Sequence, residues 1–174
     1  MSLINGLPAH VLLVHAVVVL VPLSALTLVI CALCPLAARR LGLALPLLAL
    51  VTLATVPLAT QAGEWLERHV DSDPLVRRHA ELGDGMLPWA LGLFVLAASV
   101  WWISRRTGAP QSRELSEARS GARSGSVLQV AAAVLSVVVA VGAVVDVYRI
   151  GDSGAKAAWH DAYSKTATKS SDGD

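Results

Sequence analysis

The chain has 174 residues, of which 55% are hydrophobic and 16% charged, and its mean hydropathy is +0.60. Soluble domains carry about a quarter charged residues, and disordered chains combine low hydrophobicity with high charge, so neither class fits. Fourteen basic and thirteen acidic residues leave a net charge of +1, without the basic excess typical of nucleic-acid binders. Two cysteines build no disulfide framework.

The apolar residues lie in long runs. A membrane helix needs roughly 20 mostly apolar residues to cross about 30 Å of hydrocarbon, and four segments qualify. The first, 11–36, holds His15 and two thiols as its only ionisable groups. No Lys or Arg precedes it, and it is too long for the apolar core of a signal peptide, so it reads as a retained helix. The second, 41–62, is uncharged. The third and fourth are 86–104 and 127–145. Each is apolar around its whole circumference, unlike the single stripe of a soluble surface helix. The pattern predicts an all-α integral membrane protein, a four-transmembrane-helix antiparallel bundle in one domain over 1–160. Kinks are expected at Pro22, Pro46, Pro57 and Pro88, where neighbouring helices re-satisfy the freed carbonyls. Gly142 and the run Ala131, Ala132 and Ala133 suit close approach of the fourth helix to a neighbour.

The connectors differ. The first is short, carries Arg39 and Arg40, and implies antiparallel neighbours. The second, 63–85, mixes acid and base and suits amphipathic extensions of both flanking helices. The third is arginine-rich and contains SGARSGS over 120–126, which reads as flexible. After the fourth span, AKAAWHDAY reads as a short helix whose Trp159 and Tyr163 suit the headgroup layer. Residues 161–174 read as a disordered polar tail.

Four spans put both termini on one side. Lysine and arginine divide seven to seven between the two sides, so the positive-inside rule alone gives a tie. The first helix breaks it, since only its C-terminal end is followed by arginines. Acidic residues are also uneven, leaving the side of the first and third connectors near +5 and the side of the termini near −4. The expectation is a bacterial cytoplasmic (inner) membrane protein with both termini outside.

All five histidines fall on the side of the termini: His10, His15, His69, His79 and His160. At about 1.5 Å of rise per residue, His15 and Asp84 lie near the hydrocarbon edge. His10 and His79 each lie about 7 Å beyond it, at matching height. Glu64, Glu81, Asp84, Asp146 and Arg149 come to the same end. Glu64 with Arg68, and Asp146 with Arg149, have the spacing of helical ion pairs, so a solvated, partly paired rim is one reading. The histidines carry the other: imidazole ligates metals and haem iron, and helix bundles build such sites from facing helices. His10 and His15 are five residues apart, about 140° around one helix, so a straight helix aims only one of them at a given ion.

Cys31 and Cys34 form CxxC at the far end of a membrane helix. A redox CxxC belongs at a helix N-terminus in a βαβ setting, so these read as two small core residues. The sequence contains no P-loop, GxSxG or HExxH, which argues against an enzyme.

Four blocks carry a family resemblance: LPAHVLLVHAVVVLVP at the start, AGEWLERHV after the second span, RRHAELGDGMLPW entering the third, and VGAVVDVYRIGDSGAKAAW at the end. Together, from about Asn5 to Trp159, they resemble the bacterial family named domain of unknown function 2231, in its actinobacterial branch. The family's first motif reads LPxHPLLVHFP, so His10 and His15 match its two histidines, and His79 matches the one before the third helix. Val11 stands where the family has proline, and Ala16 and Val17 replace Phe-Pro. The closing GGxLVYxHG signature appears as VVDVYRIGDSG, without its histidine. The resemblance implies a four-helix topology more than an activity, and relatives fused to Rieske iron–sulfur modules imply electron-transfer surroundings.

Three readings follow. One is a binding protein that holds haem b or a divalent metal at its outer face through His10, His15 and His79, as an electron-transfer accessory. Another is a non-catalytic membrane subunit or scaffold with structural histidines. The third is a proton- or metal-coupled transporter, which sits poorly with a midplane that is apolar apart from Thr52, Thr55 and similar hydroxyls. The expected partners are the lipid bilayer, an electron-transfer or other membrane protein, and a second copy in a homo-oligomer.

Overall fold

The computed structural model describes residues 3–4, 7–69, 73–107 and 118–159. A minimal antiparallel pairing of β1 (Leu3–Ile4) with β2 (Leu7–Pro8), in register Leu3 to Pro8 and Ile4 to Leu7, leads into the first helix. Among the described residues, six helices follow: α1 (Ala9–Leu33), α2 (Pro35–Leu41), α3 (Ala44–Glu67), α4 (Pro74–Asp84), α5 (Met86–Thr107) and α6 (Ala118–Trp159). Four stretches of these residues are long and apolar enough to cross a membrane: Ala9–Leu33, Ala44–Glu67, Pro74–Arg106 and Val127–Trp159.

The prolines explain most of the boundaries. The first run ends at Leu33 rather than at 36, because the residue before a proline is pushed out of the helical region. Cys34 is accordingly extended, at φ −122° and ψ 100°, and Pro35 opens α2. Gly42 closes α2 at φ +50°, a left-handed conformation that glycine adopts without strain. Pro74 opens α4 behind Asp73, whose carboxylate accepts a hydrogen bond from the Leu75 N–H at 2.7 Å. Pro46 and Pro88 fall in the first turns of α3 and α5, where an N–H has no helical partner anyway. Pro22 and Pro57 sit in helix interiors, and both helices continue through them.

The second connector is largely taken up by the end of α3 and by α4, in line with the helical extensions that its sequence suits. Another segment is more helical than the sequence patterning implies. The fourth span is the middle of one 42-residue helix, whose backbone runs through 120–126 and on to Trp159. At about 1.5 Å per residue it is some 60 Å long, twice the hydrocarbon thickness. Tyr163 and the 161–174 tail lie outside the described residues.

The long helices pack in a ring: α1 against α3 and α6, and α5 against α3 and α6. α4 packs on α6 and α3. The core is built mainly from small residues, among them Ala25, Ala49, Ala90, Ala97, Ala140 and Ala143. The outer surface carries large aliphatics such as Leu33, Leu50, Val95, Val127 and Val138. That inverted distribution suits a bundle in lipid, where close backbone approach rather than burial of bulk drives helix association. Gly142 is the closest such approach: a Cβ there would fall inside the Trp89 indole of α5. Of the alanine run, Ala133 touches the core while Ala131 is exposed. Ser24 of α1 and Thr52 of α3 are fully buried and share a 2.7 Å hydrogen bond between the first two spans.

Candidate functional site

His10 lies in the first turn of α1, half-buried against α3. Its Nδ1 is 3.0 Å from the carbonyl oxygen of Ala59. A carbonyl only accepts, so Nδ1 carries the proton and donates it. The ring lies over Gly63, where an added Cβ would come within 3.0 Å of the imidazole Cε1. Position 63 is one helical turn beyond the carbonyl that His10 engages, so the missing side chain makes room for the ring.

His79 repeats this arrangement on another helix pair. It is half-buried on α4, and its Nδ1 is 3.1 Å from the Ile150 carbonyl of α6 and 3.0 Å from Ser153 Oγ. Ser153 Oγ donates to the same carbonyl at 2.7 Å. The His79 ring lies over Gly154, again four residues after the engaged carbonyl, and a Cβ added there would come within 3.0 Å of its Cε1. Each histidine thus donates from Nδ1 to residue i of a neighbouring helix and fills the space that glycine leaves at i+4. The two rings meet with centroids 6.2 Å apart and planes at 78°. In both, the neutral ring keeps its lone pair on Nε2, the nitrogen that a ligating imidazole offers when a backbone carbonyl holds the other.

The remaining candidates lie around this pair rather than on it. His15 is exposed on another face of α1, and its Nδ1 donates to the Val11 carbonyl of its own helix at 2.6 Å. Glu64 is exposed and pairs with Arg68 at 3.3 Å, and Glu81 is exposed and lies 3.8 Å from Arg77. Asp84 is exposed at the end of α4. Asp146 does not make the expected ion pair with Arg149: its Oδ2 is buried beside Gly85 with no hydrogen-bond partner among the described residues, and Arg149 is exposed. His69 stacks on Trp65, four residues earlier, at 4.0 Å. His160 lies outside the described residues. Among the described residues, no group of three or more His, Cys, Asp or Glu is arranged to hold a metal ion. Cys31 is buried, Cys34 is exposed and both are free thiols.

Gly63, Gly154 and Ser153 are the site residues that the sequence did not single out. A signal was available, because the glycines stand in AGEWLERHV and in RIGDSGAKAAW, two of the four blocks that carry the family resemblance.

The chain matches a family model described as a predicted membrane protein over residues 6–167. It belongs to the domain of unknown function 2231 family. The match spans both histidine seats, so the pair from α1 and α4 is a feature of a domain of unknown function 2231 chain rather than of an appended segment. No curated protein and no solved structure matches the chain.

Proposed function

We propose that this protein is a non-enzymatic membrane haem protein in which His10 and His79 supply axial imidazoles. The observation that carries the reading is the pair itself: two rings from different helices, each with Nδ1 held by a backbone carbonyl, 6.2 Å apart. A protein-ligated divalent metal fits less well, because such sites take three or four protein ligands and only two imidazoles meet here. Haem iron takes its equatorial nitrogens from the porphyrin and asks the protein only for axial ligands. Bound haem would supply a one-electron couple, in keeping with an electron-transfer accessory of another membrane protein. The chain's own contribution is to fix the tautomer and aim of both rings through Ala59, Ile150 and Ser153.

The test is a visible absorption spectrum of the detergent-purified protein. The expected result is a haem spectrum that is lost in His10→Ala and in His79→Ala. A colourless, folded protein that takes up no added haemin sinks the reading. It would favour the scaffold reading, in which the same hydrogen bonds lock α1 to α3 and α4 to α6. The pair belongs on the outer face of a bacterial inner membrane. A reporter fused after Asp174 is therefore expected to be active outside, and activity in the cytoplasm reverses that orientation.

A further inference from the structure

The third membrane-crossing stretch, Pro74–Arg106, is one run by length and composition but two helices by backbone. It breaks at Gly85, between α4 and α5. Pro88 is a local cause. It has no N–H, so the Asp84 carbonyl loses the donor that a continuous helix places four residues on. The Gly85 N–H turns to the Leu82 carbonyl instead, at 3.1 Å. In membrane transporters, the carbonyls at such helix breaks coordinate sodium ions and protons.

Asp146 of α6 faces this break. Its Oδ2 is shielded from water and has no hydrogen-bond partner among the described residues. A Cβ added at Gly85 would lie 3.8 Å from that oxygen and 3.2 Å from the Leu82 carbonyl oxygen, so both oxygens border the place where glycine has no side chain. Gly85 is exposed, which gives approach from the side of the histidines. Deeper in the bundle, the Trp89 indole packs on Gly142, one turn before Asp146, and closes the α5–α6 contact.

The surrounding charges do not compensate Asp146. Of the helices packed against α6, α5 has no ionisable residue over 86–104, and α1 brings His10 and His15 to this end. α4 brings His79, which is bonded to Ile150, and the exposed Arg77, Arg78, Glu81 and Asp84. On α6 itself, Arg149 is exposed and Asp152 pairs with Lys156. An ionised carboxylate without partners in a place shielded from water is costly, and a bound cation offsets that cost. One carboxylate beside neutral carbonyls balances a single positive charge, and a hydrated ion is too large for a place that excludes water.

We propose that Asp146, with the Leu82 carbonyl at the α4–α5 break, binds a small dehydrated monovalent cation, a proton or a sodium ion. The site is independent of any haem.

The test treats the full chain in detergent with N,N′-dicyclohexylcarbodiimide, an apolar reagent that adds to carboxylic acids. The carboxyl proton passes to a carbodiimide nitrogen and the carboxyl oxygen bonds to the central carbon. Migration of the acyl group to nitrogen then leaves a stable N-acylurea, with no leaving group. Peptide mass spectrometry is expected to place the adduct on Asp146, with labelling that falls as pH rises and is lost in Asp146→Asn. Protection by sodium chloride, but not by choline chloride at equal ionic strength, identifies the cation as sodium. Protection by neither identifies it as the proton. Gly85→Ala puts a methyl group between the two oxygens and is expected to reduce labelling, whereas Gly83→Ala, with open space around it, is expected to leave it unchanged. Adducts on the exposed Glu64, Glu81 or Asp84 in place of Asp146 would overturn the site. So would an Asp146 that stays unlabelled at every pH in a folded chain whose thermal unfolding responds alike to sodium and choline. Should Asp146→Asn fail to fold, the position of the wild-type adduct and its sodium dependence decide the question.

Discussion

The imidazoles of His10 and His79 stand edge to face, 6.2 Å apart, although 69 positions separate them in the chain. His10 is anchored to α3 and His79 to α6, so their contact ties the α1–α3 and α4–α6 pairs together at one end of the bundle. Displacing either ring disturbs a junction of four helices.

Haem retention should separate the three candidate histidines. His15→Ala is expected to keep the spectrum, because that ring is bonded within its own helix and exposed. Ser153→Ala is expected to weaken haem retention by up to about tenfold, the low end of the usual effect of removing a group that orients a ligating histidine. The measurement is haemin titration followed by absorbance. Loss of haem in His15→Ala together with retention in His79→Ala would contradict the pair.

The glycine seats make a stability prediction that does not depend on haem. Gly63→Ala and Gly154→Ala each put a Cβ about 3.0 Å from a ring carbon whose imidazole is hydrogen-bonded in place, and each is expected to cost about 1–3 kcal/mol. Gly151→Ala has open space around it and is expected to stabilise the helix by about 0.5–1 kcal/mol. Denaturant unfolding in detergent would check the contrast, and equal effects at all three positions would contradict the seats.

Gly142 and Trp89 should be energetically coupled. Gly142→Ala collides with the indole and is expected to destabilise by at least about 1 kcal/mol. Combined with Trp89→Leu, much of that cost should disappear, giving a coupling of about 0.5–3 kcal/mol in a double-mutant cycle. Additive losses would mean that the two helices do not meet through this pair.

The Ser24–Thr52 hydrogen bond predicts a smaller effect. Thr52→Val removes the hydroxyl that links α1 to α3. It is expected to cost about 0.6 kcal/mol and no more than about 1.7, the range measured for hydrogen bonds between membrane helices. Thermal unfolding of Ser24→Ala, Thr52→Val and the double variant would measure it. A double variant as costly as the sum of the singles would show no coupling.

Much of this architecture was legible in the residues. Uncharged runs of about 20 residues have one stable solution in a bilayer, so the four spans followed from composition alone. Helical rise also placed His10 and His79 at matching height, because height depends only on counting residues from the membrane edge. The division of charge was legible for the same reason: Arg39, Arg40, Arg105 and Arg106 occupy one end and every described histidine the other.

Azimuth was not legible. Height says nothing about which way a side chain turns, and a helix apolar all round has no stripe to mark its inner face. The sequence therefore grouped His15 with His10, and Glu64, Glu81 and Asp84 with the histidines, whereas helix rotation points them outward. Gly63 and Gly154 stand in blocks that carry the family resemblance, but their role as seats depends on which ring arrives from another helix. By itself the sequence determined a membrane-spanning four-helix chain with its histidines at one end, because hydrophobic run length and residue count are one-dimensional quantities. Only the tertiary structure decided that His10 and His79 are the two that meet, because that depends on how four featureless cylinders rotate until small residues interlock.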